Sequence, residues 1–243
     1  MIQLQQPRHV GGMQDLDGQI PAILRTGHRL RALARTPRLL EGKTIILLFE
    51  KPSTRTRISF EVGVRRLGGI AVTMDAATSQ LGRGESLEDT AQVLSRYGDC
   101  IVYRAASHAH FTEFAHYATV PVINALTDRE HPCQILADWM ALDAAAGLQG
   151  RRLAYVGDGN NLCHSYLLGA PMVGLDIEVA TPPDFAPNPD IVAAAQHLAK
   201  RHGTLVRCGH DPAAAVRGAH AVVTDTWISM GDEDEARARL DAF

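Results

Sequence analysis

The sequence is poor in cysteine and contains no long apolar run. Its four cysteines are widely spaced among 243 residues and form no Cys-x-x-Cys pair, which argues against a disulfide framework and against a zinc knuckle. No window reaches the roughly 18 apolar residues that a membrane span requires, and residues 1–12 lack the apolar centre of a signal peptide. We therefore expect reduced thiols, no metal, no membrane association and a cytoplasmic protein.

An excess of positive charge is also missing. The 24 Lys and Arg residues are outnumbered by 27 Asp and Glu residues, and the formal net charge is −3. This balance argues against a nucleic-acid-binding surface, so a local group of arginines is better explained as a site for a small anion. With 46% apolar residues and no repeats, the chain is long enough for one large or two moderate globular domains.

Apolar runs alternate with amphipathic segments along most of the chain. This alternation is typical of parallel sheets covered by helices. We predict an α/β protein of two doubly wound parallel-sheet lobes, at residues 1–147 and 148–243. The predicted strands are 44–49, 70–74, 100–103 and 120–123 in the first lobe, and 153–156, 177–180, 205–208 and 221–224 in the second.

The segment after the first predicted strand is the most informative. It reads Phe49-Glu50-Lys51-Pro52-Ser53-Thr54-Arg55-Thr56-Arg57. Pro52 ends the strand, and either Ser53 or Thr54 is suited to cap the helix that follows. A helix start attracts anions, and Arg55 and Arg57 add forked donors for phosphate oxygens. We predict a phosphate cradle, the alternative being a capped helix whose arginines pair with acids elsewhere.

Polar residues also occur where other predicted elements begin or end. Arg104 ends the strand at 100–103, and His131 and Gln134 stand three apart at a helix start, so both can face one ligand. A cap or surface role for His131 is the alternative. The glycine-containing loop at 79–85, with Gln80, is either functional or an ordinary exposed connection.

In the second lobe, a Gly-x-Gly sequence at 157–159 follows a predicted strand and invites a dinucleotide-binding interpretation. Glu178 lies near the spacing of a ribose-binding acid, but Leu162 occupies the place of the third glycine. Paired asparagines at 160 and 161 offer amide groups to a polar organic ligand instead. At the end of the last predicted strand, Asp225 is suited to hold an ammonium group, or to cap a helix over 232–240.

Taken together, these motifs resemble the aspartate/ornithine carbamoyltransferase family, and within it the ornithine-specific branch. The similarity runs in order from about Arg8 to Phe243, and the Ser-Thr-Arg-Thr-Arg and His-Pro-x-Gln motifs are highly specific. The resemblance implies transfer of the carbamoyl group of carbamoyl phosphate to the δ-amine of L-ornithine, giving L-citrulline and phosphate in arginine metabolism. It also implies a homotrimer with shared active sites and no cofactor.

The resemblance assigns roles to individual residues. It implies that the first lobe binds carbamoyl phosphate and the second binds ornithine. The carbamoyl phosphate ligands would be Ser53, Thr54, Arg55, Thr56 and Arg57, and Gln80 would be donated across a subunit boundary. The catalytic group, which also binds the carbamoyl moiety, would be Arg104, His131 and Gln134. The ornithine ligands would be Asn161, Asp225, Ser229 and Met230, with Asp225 on the α-ammonium.

One departure from the family pattern concerns the second lobe. The family continues with a His-Cys-Leu-Pro motif and a helix that crosses back to the first lobe, and neither is present up to Phe243. We therefore expect an incomplete second lobe, and no cysteine takes over that motif's role. Two alternatives to an active carbamoyltransferase stay open: a catalytically weak carbamoyl-phosphate-binding paralogue, and a nicotinamide-dependent oxidoreductase.

Overall fold

The computed structural model describes residues 8–228 and 236–243. Its contacts divide the chain into two compact units. The first comprises the residues up to Leu16 together with Arg25–Cys133, and the second comprises Asp17–Leu24 and Gln134–Phe243. These units differ from the predicted lobes at 17–24 and 134–147, and the domain boundary between 147 and 148 stays a prediction.

The first unit contains one four-stranded parallel sheet in the order β2-β1-β3-β4. Its strands are β1 (Thr44–Phe49), β2 (Ile70–Asp75), β3 (Cys100–Arg104) and β4 (Val122–Leu126). The helices in this part of the chain are α1 (Ile20–Ala32), α2 (Arg55–Arg66), α3 (Leu87–Tyr97), α4 (His108–Tyr117) and α5 (Pro132–Ala146), of which α1 and α5 pass from one unit into the other.

The second unit contains a second four-stranded parallel sheet in the order β7-β6-β5-β8. Its strands are β5 (Arg152–Val156), β6 (Asp176–Ala180), β7 (Val206–Gly209) and β8 (Ala221–Val223). Its helices are α6 (Asn161–Met172), α7 (Pro189–His202), α8 (Pro212–Val216) and α9 (Ala236–Ala242). Two parallel sheets with flanking helices confirm the predicted α/β class.

The central strands explain why the sheets form. In β1 every residue from Ile45 to Phe49 is buried, because helices cover both faces of a parallel sheet. The edge strand β2 is different, since Ile70 and Val72 are 61% and 43% exposed. The apolar core therefore centres on β1 and β3, with apolar side chains left uncovered at the β2 edge.

Three details differ from the sequence-based expectations. Helix α4 was not predicted, although Ser107 caps it by accepting a hydrogen bond from the backbone N–H of His110. Strand β4 begins two residues later than predicted, at Val122, because Pro121 cannot donate to the ladder. A glycine is expected to break or start a helix, yet Gly27 lies inside α1, where it costs about 1 kcal/mol relative to alanine.

The order of the strands fixes where each unit should bind a ligand. In the first unit the chain leaves β1 towards β2 and returns on the other side as β3, so the switch point lies between β1 and β3. In the second unit the corresponding point lies between β5 and β8. Ligands of open α/β sheets bind beyond the carboxyl ends of the strands at such points.

Candidate active site

Arg104 stands at the switch point of the first unit. It is the last residue of β3, in register with Phe49 of β1, and the cradle follows directly after β1. The pairing of β3 with β4 shifts register between Tyr103 and Arg104, so Arg104 lies opposite Leu126. A bulge of this kind re-aims the side chain at the end of a strand.

The Arg104 guanidinium is buried, and no acid among the described residues pairs with it. It is 6% exposed, and its Nη1 atom donates to the hydroxyls of Ser53 and Thr56, both at 3.3 Å. Within residues 8–228 and 236–243 Arg104 forms no ion pair, and its Nε atom has no hydrogen-bond partner. Burial lowers its pKa, and the charge of nearby Arg55 lowers it further. An anion at this point would compensate the charge and complete the hydrogen bonds.

The start of α2 is organised differently from the predicted cap. Helix α2 begins at Arg55, and Thr54 occupies the cap position without a side-chain hydrogen bond to the backbone. The predicted cap by Ser53 or Thr54 is therefore wrong, because the Ser53 hydroxyl accepts from Arg104 instead. The first N–H groups of α2 receive no side-chain cap, which suits them to an anion.

The two cradle arginines have different surroundings. Arg55 is exposed, and its charge acts on Arg104. Arg57 is also exposed, but its Nε atom donates to Glu61 at 3.0 Å, one helical turn further along α2. The predicted role of Arg57 on the phosphate stays a prediction, and it requires the guanidinium to leave Glu61.

A buried carboxylate supports the loop after β3. Glu50 accepts hydrogen bonds from the Tyr103 hydroxyl and from the Ala106 N–H, the latter at 2.7 Å. The His110 ring lies 3.1 Å from the same carboxylate, and the Glu50 N–H donates to the Arg104 carbonyl at 3.0 Å. Glu50 thus ties the end of β1 to both sides of Arg104. Sequence reasoning assigned no role to Glu50, because its partners are more than fifty residues away.

His131 lies just before α5, and its environment keeps it neutral. Burial lowers the pKa of His131 to about 4, and the positive charge of Arg104 contributes in the same direction. At neutral pH the ring is therefore an uncharged hydrogen-bonding group close to Arg104. The preceding residue, Glu130, shows the opposite behaviour, since burial raises the pKa of its carboxyl to about 7.

Glu130 also lines a cavity of about 600 Å³ in the first unit. The cavity is bordered by residues 9–15, by α4 and by Arg129. It contains none of the predicted site residues, and Glu130 is held there by the Met13 N–H at 2.8 Å. The cradle is a surface at the strand ends rather than this cavity.

Gln134 lies outside the unit that contains Arg104, and Gln80 lies in an exposed loop of that unit. Gln134 belongs to the second unit, where its side-chain amide donates to Asp138 at 3.0 Å. Gln80 is exposed between two short 3-10 turns, Ala76–Thr78 and Leu81–Arg83. The structure therefore brings together Ser53, Thr56, Arg104 and, through its charge, Arg55, with His131 nearby.

At the switch point of the second unit, the polar groups form a negatively charged counterpart. Asn160 donates from its side-chain amide to Asp225 at 3.0 Å, across the gap between β5 and β8. The Asn160 side-chain oxygen also caps α6 by accepting from two backbone N–H groups. Asn161 is the first residue of α6. Ser229 and Met230, predicted to bind ornithine, lie outside the described residues.

The surroundings of the Gly-x-Gly turn do not favour a dinucleotide. Glu178, the acid at ribose-binding spacing, is ion-paired with Arg152. A Cβ atom on Gly159 would lie 2.3 Å from the Pro187 nitrogen. The second glycine is therefore required for the close approach of two backbone segments. In the described part of the chain, no group of three or more His, Cys, Asp or Glu side chains could hold a metal ion. None of the four cysteines forms a disulfide.

Two parallel-sheet units, with a cationic group at one switch point and a carboxylate at the other, define an α/β protein built to hold small charged ligands. Comparisons with known proteins make the class specific. Residues 8–144 match the sequence model of the aspartate/ornithine carbamoyltransferase carbamoyl-P binding domain, and residues 149–243 match that of the Asp/Orn binding domain. The chain belongs to the aspartate/ornithine carbamoyltransferase family.

Individual relatives agree with this assignment. The chain is 47% identical to an ornithine carbamoyltransferase of Carboxydothermus hydrogenoformans, covering 100% of this chain and 80% of the relative. It is 52% identical to an ornithine carbamoyltransferase of Methanothermobacter thermautotrophicus over 85% of this chain and 68% of the relative. The solved structure of the Pyrococcus furiosus ornithine carbamoyltransferase matches with a TM-score of 0.92 and 43% identity, covering 98% of this chain and 78% of that one.

Proposed function

We propose that the chain is an ornithine carbamoyltransferase, which transfers the carbamoyl group of carbamoyl phosphate to the δ-amine of L-ornithine and releases L-citrulline and phosphate. The observation that carries the proposal is Arg104, a buried guanidinium that faces hydroxyls at the switch point and has no acid among the described residues. Relatives about half identical to this chain are named ornithine carbamoyltransferases.

The first unit supplies the carbamoyl phosphate half of the site. The start of α2, the Ser53 and Thr56 hydroxyls and Arg55 bind the phosphate, and Thr54 and Arg57 complete the cradle. Arg104 and the neutral His131 ring hold the carbamoyl oxygen, on which negative charge develops during attack. Gln134, which belongs to the second unit, acts on the same carbamoyl group. Because His131 has a pKa of about 4, it donates or accepts a hydrogen bond without adding a second charge beside Arg104.

The second unit supplies the ornithine half. Asp225, oriented by Asn160, binds the α-ammonium, and Asn161, Ser229 and Met230 complete the ornithine ligands. The δ-amine attacks in its neutral form. A carbon–nitrogen bond forms, the bond between the carbamoyl carbon and the phosphate oxygen breaks, and a proton of the amine passes to the departing phosphate. Positioning of two substrates and stabilisation of charge are sufficient for this step, so no covalent enzyme intermediate is required.

The assembly is proposed to be a homotrimer in which Gln80 reaches the site of a neighbouring subunit. Gln80 is exposed in its loop, and the same unit carries uncovered apolar side chains on β2 and on α2. The largest are Ile58, Val62, Ile70 and Val72, which are 54%, 43%, 61% and 43% exposed.

Among the described residues, every helix is too short or too polar to span a membrane. We propose a cytoplasmic location.

A steady-state assay of citrulline formation tests the proposed activity. We expect turnover that depends on both carbamoyl phosphate and ornithine, and calorimetric binding of carbamoyl phosphate alone. Binding without turnover would replace the proposal with a weak, carbamoyl-phosphate-binding paralogue. As a check on the nicotinamide alternative, excess NAD should leave the melting temperature unchanged, since a ligand stabilises only the fold that it binds.

A mixing experiment tests the role of Gln80. The variants Gln80→Ala and Arg55→Ala are each expected to lose most activity at limiting carbamoyl phosphate. If Gln80 acts across a subunit boundary, reassembled mixtures contain sites with both wild-type residues and regain activity. Arg83→Ala, in the same exposed loop, is the matched control and should be active alone. Mixtures that stay inactive after exchange of subunits would rule out a shared site.

A further inference from the structure

Arg239 of α9 is a buried cation that the reaction does not use directly. Its Nη1 atom donates to an Asp158 carboxylate oxygen at 2.6 Å, and the two side chains are 10% and 7% exposed. Nη1 also lies 3.3 Å from the Trp227 carbonyl oxygen, and the guanidinium stands 4.8 Å above the centre of the Phe185 ring. One side chain therefore contacts three segments that are far apart in sequence.

The first of these segments is the turn between β5 and α6. Asp158 lies in this turn, and its carbonyl oxygen accepts a hydrogen bond from the Tyr155 hydroxyl at 2.8 Å. Two residues later, Asn160 caps α6 and donates to Asp225 at 3.0 Å. A shift of Asp158 would therefore move Asn160, and with it the orientation of the Asp225 carboxylate.

The other two segments border the same turn and the same carboxylate. The Gly159 N–H donates to the Phe185 carbonyl at 2.8 Å, so the Phe185 segment packs against the turn. Trp227 follows Asp225 by two residues, and its ring stacks on Phe243 at 5.5 Å. Arg239 thus joins the turn, the segment behind it and the chain just beyond Asp225.

Stability alone does not account for an ion pair at this place. Removing two charges from water is costly, and a well-packed apolar pair of similar volume is often as stable. A charge-assisted hydrogen bond, by contrast, fixes direction as well as distance. We propose that Arg239 is a positioning residue for the amino-acid half of the site, acting through Asp158 on the Asn160–Asp225 pair. This inference rests on the proposed function, because it takes Asp225 to bind the substrate ammonium.

Arg239→Met is the test variant, and Arg237→Met is its matched control, since Arg237 is exposed on the same helix. The probe is L-norvaline, which has the α-ammonium and α-carboxylate of ornithine but no δ-amine, so it binds without reacting. Calorimetry is performed on the full chain saturated with carbamoyl phosphate. We expect Arg239→Met to weaken norvaline binding at least tenfold and to leave the Kd of carbamoyl phosphate within twofold of wild type. Arg237→Met should match wild type for both ligands.

Three further variants separate positioning from general support of the fold. Asp158→Asn should weaken norvaline binding to a similar extent, and the double variant should be no weaker than the single ones, because both remove the same interaction. In Arg239→Ala, millimolar guanidinium should restore part of the lost norvaline affinity. A merely structural role would lower the melting temperature without a selective loss of norvaline affinity.

The outcomes distinguish this inference from the proposed function. Unchanged norvaline affinity in Arg239→Met, or an equal loss for both ligands, overturns the positioning role while leaving the proposed function intact. If the wild type itself binds no norvaline, the proposed function fails, and amide hydrogen exchange over residues 157–161 decides the inference. If amide exchange at 157–161 is faster in Arg239→Met than in Arg237→Met, the Arg239–Asp158 pair holds the turn in place. Equal exchange in the two variants refutes the inference.

Discussion

The two units carry groups of opposite charge at equivalent positions of their sheets. Each places its polar groups where the strand order reverses, between β1 and β3 in the first unit and between β5 and β8 in the second. Among the described residues, the Arg104 guanidinium donates to two hydroxyls at the first point, whereas at the second Asp225 accepts from an amide. The support is also reversed, since the anion Glu50 braces the loop after Arg104 and the cation Arg239 braces the turn beside Asp225. The sheet topology fixes the place, and a few residues at strand ends fix the sign of the ligand.

The largest effect is expected for Arg104→Met. Loss of a charge-assisted contact at a buried site should weaken carbamoyl phosphate binding at least 100-fold, which corresponds to about 3 kcal/mol. The melting temperature should stay the same or rise, because the substitution removes a buried charge that has no acid beside it. Calorimetry and thermal unfolding measure the two quantities. A large fall in stability together with intact binding would show that Arg104 serves the fold rather than the ligand.

The next prediction concerns Glu130, beside His131. The pKa of Glu130 is raised to about 7 in the folded chain, above its ordinary value of 4.5. The folded state therefore holds the proton more tightly, and stability is lost as pH rises from about 4.5 to 7. Glu130→Gln should remove this loss and increase the free energy of unfolding at pH 8 by about 3 kcal/mol, while changing little at pH 4.

Denaturant unfolding at several pH values measures the Glu130 effect. Glu113→Gln is a suitable control, since Glu113 is an exposed glutamate of α4. If both variants show the pH dependence of wild type, burial of Glu130 has no energetic consequence.

Asp225→Asn tests the negative half of the comparison. Asparagine still accepts the hydrogen bond of Asn160 but loses the charge, so ornithine or norvaline should bind about 30-fold more weakly, or about 2 kcal/mol. Carbamoyl phosphate binding should be unaffected. Asp184→Asn, at an exposed position, provides the control. An equal loss of affinity for norvaline and for carbamoyl phosphate would mean that Asp225 does not serve the amino-acid half of the site alone.

The smallest effects on binding are expected for the two arginines of the cradle, Arg55 and Arg57. Arg55→Ala should weaken carbamoyl phosphate binding by about 2 kcal/mol. Arg57→Ala should have a smaller effect, because Arg57 starts from an exposed ion pair with Glu61 that competes with the phosphate. Titration calorimetry ranks the two variants. A larger loss for Arg57→Ala would show that its guanidinium leaves Glu61 when the ligand binds.

Local patterns were enough to predict the strands, the α/β class and the clustering at the first switch point. Apolar runs followed by Pro52 or Arg104 mark strand ends, and parallel strands bring those ends together. Contacts between distant residues were not predictable in this way. The Asn160–Asp225 and Arg239–Asp158 pairs join residues 65 and 81 positions apart, and nothing in either segment alone specifies its partner. The predicted cap failed for the same reason, since Arg104, 51 positions away, engages Ser53.

The loop that carries Gln80 is held in shape by its own contacts. Its two 3-10 turns pack so closely that a Cβ atom on Gly82 would lie 2.5 Å from the Ala76 carbonyl oxygen, and the Gln80 carbonyl oxygen accepts the N–H groups of Arg83 and Glu85 at 2.9 and 3.1 Å. A loop held in this way loses little conformational entropy when it docks. If the proposed homotrimer forms, docking of this loop would need no slow ordering step.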